Sequence, residues 1–231
     1  MRVTTNGVSI YYEVRGSKGP VLIMLHGNGE DHTIFDRAVA YLEQKFVVYL
    51  VDSRGHGESS PVREYHYQDM VDDLAEFIRK LKLDRPAICG FSDGAIVGLM
   101  FASQHPDSLS RLIACGGNTR PETLKGFRMA LDRLGSIEKK DPKVRMMLTE
   151  PHITAEDLAR ITVPVMVVAG SRDCVRRSDT DFIASSVKNG SVCIMRRADH
   201  CSYVVHSTRI VDAIFHAMGV DTSDAQLTPG F

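Results

Sequence analysis

The chain has 231 residues, 43% of them hydrophobic and 25% charged, with 28 Lys and Arg against 29 Asp and Glu for a net charge of −1. That composition suits one globular domain carrying an insertion. The charge balance argues against nucleic acid or an anionic membrane as partner, because either would need a basic face. Residues Met1 to Gly7 have no apolar signal core, and no apolar run reaches the ~18 residues that span a bilayer. The cysteines (Cys89, Cys115, Cys174, Cys193 and Cys201) are odd in number and form no C-x-x-C pair. Three lie in or beside apolar strand-like runs, where cysteine serves as a small buried hydrophobe, so a reducing, cytoplasmic setting without disulfides is expected.

In chain order, Val8 to Val14 is β-rich, and the Asn6-Gly7 dipeptide before it signals a hairpin, so the chain starts antiparallel. The pattern then changes. Val21–Leu25, Phe46–Val51, Ala87–Cys89, Leu112–Cys115 and Val163–Ala169 are short, nearly continuous apolar runs, with Val192–Met195 as one more. Strands buried on both faces of a parallel sheet read this way. Tyr67 to Leu81 is amphipathic, with Met70, Val71, Leu74, Phe77, Ile78 and Leu81 on one side. Ala95 to Ala102 is apolar nearly all round and predicts a buried helix. Alternating strands and helices imply an α/β, doubly wound sheet with helices on both faces. Residues 118–160 interrupt this rhythm with helical stretches at Pro121–Leu134 and Pro142–Leu148, then a helix capped by Thr154, and read as a helical insertion. A last helix is predicted over Val204–Met218, and the polar tail from Gly219 is expected to be loose.

Gly90-Phe91-Ser92-Asp93-Gly94 sits between the run ending at Cys89 and the helix from Ala95. A G-x-S-x-G in a strand–turn–helix context pushes the serine hydroxyl out at the sheet edge. Such a hydroxyl needs a base, a group to orient that base, and donors for an oxyanion. His200 follows the last strand-like run and is the candidate base; His206 and His216 fall within the predicted final helix. Asp173, just after Val163–Ala169, is the natural acid. Asp199 is adjacent to His200 and poorly placed to reach its ring, while Asp179 and Asp181 are weaker options. The backbone N–H of Asp93 and that of Asn28, in the glycine-rich loop His26–Glu30, are the candidate oxyanion donors. His26 is expected to orient that loop, and His56 to bond within its own glycine-rich loop. The Asp93 side chain has two readings: it attracts a substrate ammonium group, or it hydrogen-bonds locally.

The order Ser92, Asp173, His200, together with His26-Gly27-Asn28-Gly29, Asp52 to Ser59, Gly170-Ser171-Arg172-Asp173 and Asp199-His200, resembles the α/β-hydrolase fold family over nearly the whole chain. The resemblance implies an eight-stranded, mostly parallel sheet formed by 1–117 and 161–231, with 118–160 as a cap over the active site. It implies no metal and no organic cofactor, and a structural role for Asp52–Ser59. It further implies a serine hydrolase acting on a small-molecule acyl substrate, a small or medium carboxylic ester or thioester. C–C bond hydrolases, lactonases, amidases and cofactor-free peroxidases of the fold use the same triad, and some members are sensors without turnover. Ser92 argues against the relatives that use an aspartate nucleophile.

Overall fold

The computed structural model describes residues 1–126 and 141–220. Strands β1 (Arg2–Thr5) and β2 (Val8–Arg15) form a hairpin across Asn6-Gly7, both residues with positive φ. Then come β3 (Val21–Leu25), a 3-10 turn (His32–Phe35) running into α1 (Asp36–Leu42), β4 (Val47–Val51), α2 (Tyr67–Lys80), β5 (Ala87–Phe91), α3 (Asp93–Gln104) and β6 (Arg111–Cys115). After β6 lie a 3-10 turn (Pro121–Thr123), α4 (Pro142–Thr149) and α5 (Ala155–Ala159). The chain then returns to the sheet as β7 (Val165–Gly170), α6 (Arg177–Ser186), β8 (Gly190–Met195) and α7 (Arg209–Met218). The strands form one eight-stranded sheet in the order β1-β2-β4-β3-β5-β6-β7-β8, antiparallel where β2 meets β1 and β4 and parallel elsewhere.

The continuous apolar runs have a simple cause. Along β3, Ile23 and Leu25 enter one core with α2, α3, α5 and α6, while Leu22 and Met24 enter the other with α1 and α7. Successive side chains of a strand point to opposite faces, and here both faces are buried. The α3 helix, predicted to be buried, has ten of its twelve residues out of solvent. Thr154 caps α5 through a reciprocal capping box with Asp157.

The last helix starts at Arg209, not Val204. His206 precedes it, with a φ of 46° that no continuing α-helix tolerates, and its N–H bonds to Ile34 O at 2.7 Å. Helices α1 and α6 went unread because α1 has only seven residues and the apolar residues of α6, Phe182-Ile183-Ala184, are consecutive rather than periodic. Of the stretch Pro121–Leu134, the described part is a 3-10 turn followed by a bridge between Leu124 and Val175; residues 127–140 lie outside the described residues, as does the tail from 221.

The joint between β5 and α3 depends on two glycines. A Cβ on Gly90 would lie 2.2 Å from Gly94 O, and one on Gly94 would lie 2.3 Å from Leu25 O. Both obstacles are backbone atoms, so neither can swing aside. Gly94→Ala is therefore expected to lower unfolding stability by about 1–3 kcal/mol or more. Urea denaturation measures this, and an unchanged midpoint would contradict the packing described.

Candidate active site

Ser92 occupies the turn between β5 and α3 with φ 52° and ψ −112°. A non-glycine residue there is strained, and such strain persists only where surrounding contacts hold it. Those contacts are explicit: Ser92 N donates to Cys115 O at 2.8 Å, and Gly94 N donates to His26 O at 3.1 Å. The turn is thus tied to β6 on one side and to the loop after β3 on the other. The candidate residues Ser92, Asp173 and His200, with the loop His26–Glu30, all follow the carboxyl ends of strands, where open α/β sheets place their sites.

His200 Nε2 lies 3.1 Å from Ser92 Oγ, and His200 Nδ1 lies 2.7 Å from Asp173 Oδ1. The order in space is the order the chemistry needs. Gly116 makes room for the imidazole: a Cβ there would lie 2.7 Å from His200 Cε1. Phe91 packs on the ring with centroids 5.0 Å apart. Asp173 is only 2% exposed, and its carboxylate accepts from the backbone N–H groups of Gly170 and Val175, each at 3.0 Å. Burial works against its charge, but the His200 hydrogen bond and the two amides outweigh burial and hold its pKa below the ordinary value. For His200, burial likewise disfavours the charged ring. The Asp173 carboxylate, with the neighbouring Cys174, overcomes that and raises the pKa.

The other acids are engaged elsewhere. Asp179 accepts from Thr119 N at 2.8 Å and Thr119 Oγ1 at 2.6 Å, which ties the start of the inserted segment to α6. Asp181 pairs with Arg177 on the surface, and Asp199 accepts the N–H groups of Cys201 and Ser202 in its own turn.

Around Ser92, the amides of Gly27, Ser92, Gly94 and Ala95 all have acceptors. Those of Asn28 and Asp93 donate to no acceptor among the described residues. Gly27 packs closely on the serine: a Cβ there would lie 3.0 Å from Ser92 Cβ and 2.7 Å from Glu30 Oε2. His26 bonds through Nδ1 to Gly27 O at 2.8 Å and accepts from Ser53 N at 3.0 Å, which holds the loop against the next one. His56 Nδ1 bonds Arg54 O at 2.9 Å, and burial beside His26 lowers its pKa to about 4. Asp52 accepts from His32 and from Glu58 N, and Ser59 Oγ donates to Asp52 O, so Asp52–Ser59 is knitted to itself and to the His32 turn.

The Asp93 side chain is buried and bonded locally. Its Oδ1 accepts from Tyr67 Oη at 2.7 Å and its Oδ2 from Asn28 Nδ2 at 2.9 Å. Burial still raises its pKa against these two bonds. Asn28 Nδ2 also reaches Lys143 O of α4 at 3.3 Å, so the inserted segment touches the candidate oxyanion loop. Two site neighbours escaped sequence reading. Tyr67 was read only as a helix start. Glu30, whose Oε2 accepts Gly27 N at 2.9 Å, closes the loop by an i,i+3 turn that the Gly27-Asn28-Gly29-Glu30 order could have signalled.

A family profile described as alpha/beta hydrolase fold matches residues 20–189, and the chain belongs to that family. The matched span includes Ser92 and Asp173 and ends before His200. The chain is 32% identical over 136 residues to an uncharacterized protein of Mycobacterium tuberculosis, covering 58% of this chain but only 39% of that protein. It therefore spans about two fifths of the length of such mycobacterial relatives. It is 26% identical over 230 residues to the serine hydrolase BPHL of Homo sapiens, covering 86% of this chain and 79% of that protein. It is 22% identical over 262 aligned positions to 3-oxoadipate enol-lactonase 2 of Acinetobacter baylyi, covering 96% and 92%. A thermophilic esterase from Thermogutta terrifontis superimposes with a TM-score of 0.77 at 22% identity, covering 95% of this chain and 97% of that one, a likeness of fold.

The buried Asp93 cluster yields a direct expectation. Asp93→Ala strands the Tyr67 hydroxyl and the Asn28 amide without their shared acceptor, a loss worth about 1–3 kcal/mol. Thermal or urea unfolding measures it. A variant as stable as the parent would show that these bonds contribute nothing.

Proposed function

We propose that this chain is a serine hydrolase that cleaves a small or medium carboxylic ester or thioester through an acyl-enzyme on Ser92. The observation that carries this reading is the unbroken chain from Ser92 Oγ through His200 to a buried, doubly amide-bonded Asp173.

The steps follow from the geometry. His200 Nε2 takes the Ser92 proton as Oγ attacks the carbonyl carbon. The ring then carries a positive charge, which the Asp173 carboxylate stabilises while keeping the remaining proton on Nδ1. The tetrahedral oxyanion lies against the amides of Asn28 and Asp93, which have no acceptor among the described residues. His200 returns its proton to the leaving alcohol or thiol, and the acyl-enzyme forms. Water then enters by the same route, giving up its proton to His200, and Ser92 is released.

In this reading Asp93 serves through its backbone. Its carboxylate holds the Asn28 side chain, and through it the loop that supplies the second amide, so Asp93 is a positioning residue rather than a substrate contact. The inserted segment 118–160 acts as a cap, supported by the Asn28 bond to Lys143 O, and sets which acyl group reaches Ser92. No helix among the described residues is long and apolar enough to cross a membrane, and all five cysteines are free. The free cysteines support the proposed reducing, cytoplasmic setting.

Ser92→Ala is expected to fold like the parent and to lose kcat/KM toward short-chain p-nitrophenyl esters by roughly 10⁴–10⁶-fold. Asp173→Asn is expected to cost about 10⁴-fold in kcat, because the ring is then held in the wrong tautomer. Steady-state kinetics on folded variants measure both. Ester hydrolysis retained by a pure Ser92→Ala preparation would refute the mechanism.

A further inference from the structure

Beyond the acyl chemistry, one group at the site stands unexplained. Cys174 directly follows Asp173 and is exposed. One ligand atom each from Asp173, Cys174 and His200 lie within 4.8 Å of one another. These three residues line an open depression on the protein surface together with Lys125, Arg172 and Cys201. A solvated ion therefore meets Cys174 and His200 first, with the buried Asp173 carboxylate directly behind the ring. Thiolate, imidazole and carboxylate together suit a thiophilic divalent ion, with Zn²⁺ the natural fit. The charges also balance, since one thiolate and one carboxylate neutralise a divalent cation beside a neutral ring. Asp173 already has its outer support, because the Gly170 and Val175 amides fix the carboxylate plane. Lys125, the nearest cation on the rim, is directed to the Asp173 backbone carbonyl rather than to its carboxylate.

The geometry points to an inhibitory Zn²⁺ site formed by Cys174, His200 and Asp173. The site carries no catalytic metal; its occupant would take the base away from the serine. Binding releases the Cys174 thiol proton to solvent, together with the second ring proton wherever His200 starts out protonated, and no bond is oxidised or reduced. An ion on Nδ1 displaces the proton shared with Asp173 and leaves the ring protonated at Nε2, where it cannot act as base. Zn–N and Zn–O bonds of about 2.0–2.2 Å need only a modest widening of the 2.7 Å gap between His200 Nδ1 and Asp173 Oδ1. That silences Ser92. The inhibition rests on the proposed role of His200 as base, whereas the binding does not.

The test uses Co²⁺ as a spectroscopic probe for Zn²⁺ binding, read as thiolate-to-cobalt charge-transfer absorption. It is run in the Ser92→Ala background, so the signal is independent of ester hydrolysis. One equivalent per chain is expected in Ser92→Ala and again in Ser92→Ala with Cys201→Ala. Adding Cys174→Ser or His200→Ala should abolish the band and weaken Zn²⁺ competition by more than the 10–100-fold typical of losing an outer partner, with circular dichroism confirming that each variant is folded. In the parent, Zn²⁺ should inhibit ester hydrolysis reversibly on chelation. A band that survives Cys174→Ser or His200→Ala, or no band in Ser92→Ala, overturns the site. A band with no inhibition of an active parent overturns the inhibitory role. A metal-free parent that hydrolyses no ester would instead refute the serine-hydrolase reading, and the absorption band would still decide the metal site.

Discussion

Everything at this site hangs on the close backbone approach at the end of β5. Gly90 passes within contact of Gly94 O, and Gly94 passes within contact of Leu25 O, so three segments meet with no side chain between them. That compression forces Ser92 to a positive φ and turns its side chain out of the sheet. It also starts α3 at Asp93, whose amide has no acceptor among the described residues and so is free for the proposed oxyanion. Without the two glycines the serine would be an ordinary strand or helix residue, and the same hydroxyl would have neither exposure nor donors.

Two buried carboxylates then hold the surroundings in place, by different means. Asp173 keeps its charge because two backbone amides and His200 replace the water it has lost. Asp93 is satisfied by a tyrosine hydroxyl and an asparagine amide, neutral donors that support it less, and its pKa is raised. The contrast matches their tasks. The first must remain ionised to hold a cation that forms and vanishes during the proposed reaction. The second must hold still, since it joins the amide after Ser92, the loop at Asn28 and, through Lys143 O, the inserted segment. Asp179 does the same for the start of that segment through Thr119.

The parts legible in the sequence were those encoded contiguously. The G-x-S-x-G turn, the apolar runs buried on both faces, the strand-end position of Asp173 and the loop position of His200 each lie within a few neighbouring residues. The hairpin at Asn6-Gly7 and the Thr154 cap followed from the same local rules, whereas the eight strands came from the family resemblance and their order only from the structure. What escaped reading depends on partners distant in the chain. Asp93 meets Tyr67 and Asn28, Asp179 meets Thr119, and the start of α7 is delayed because His206 bonds back to Ile34. A periodicity argument sees none of these, and it carried the last helix through Val204 because that residue is apolar and buried in a turn. The ambiguity at Asp93 had the same origin: its charge was visible in the sequence, but its bonding partners were not.

The central claim is that Ser92 is the nucleophile, and the most direct measurement is the site of covalent capture. Reaction with a fluorophosphonate, followed by peptide mapping by mass spectrometry, should show one adduct per chain on the peptide containing Gly90 to Gly94, located on Ser92 and absent when His200 is replaced by alanine. An adduct confined to another residue, or no adduct on a folded protein, would contradict the account.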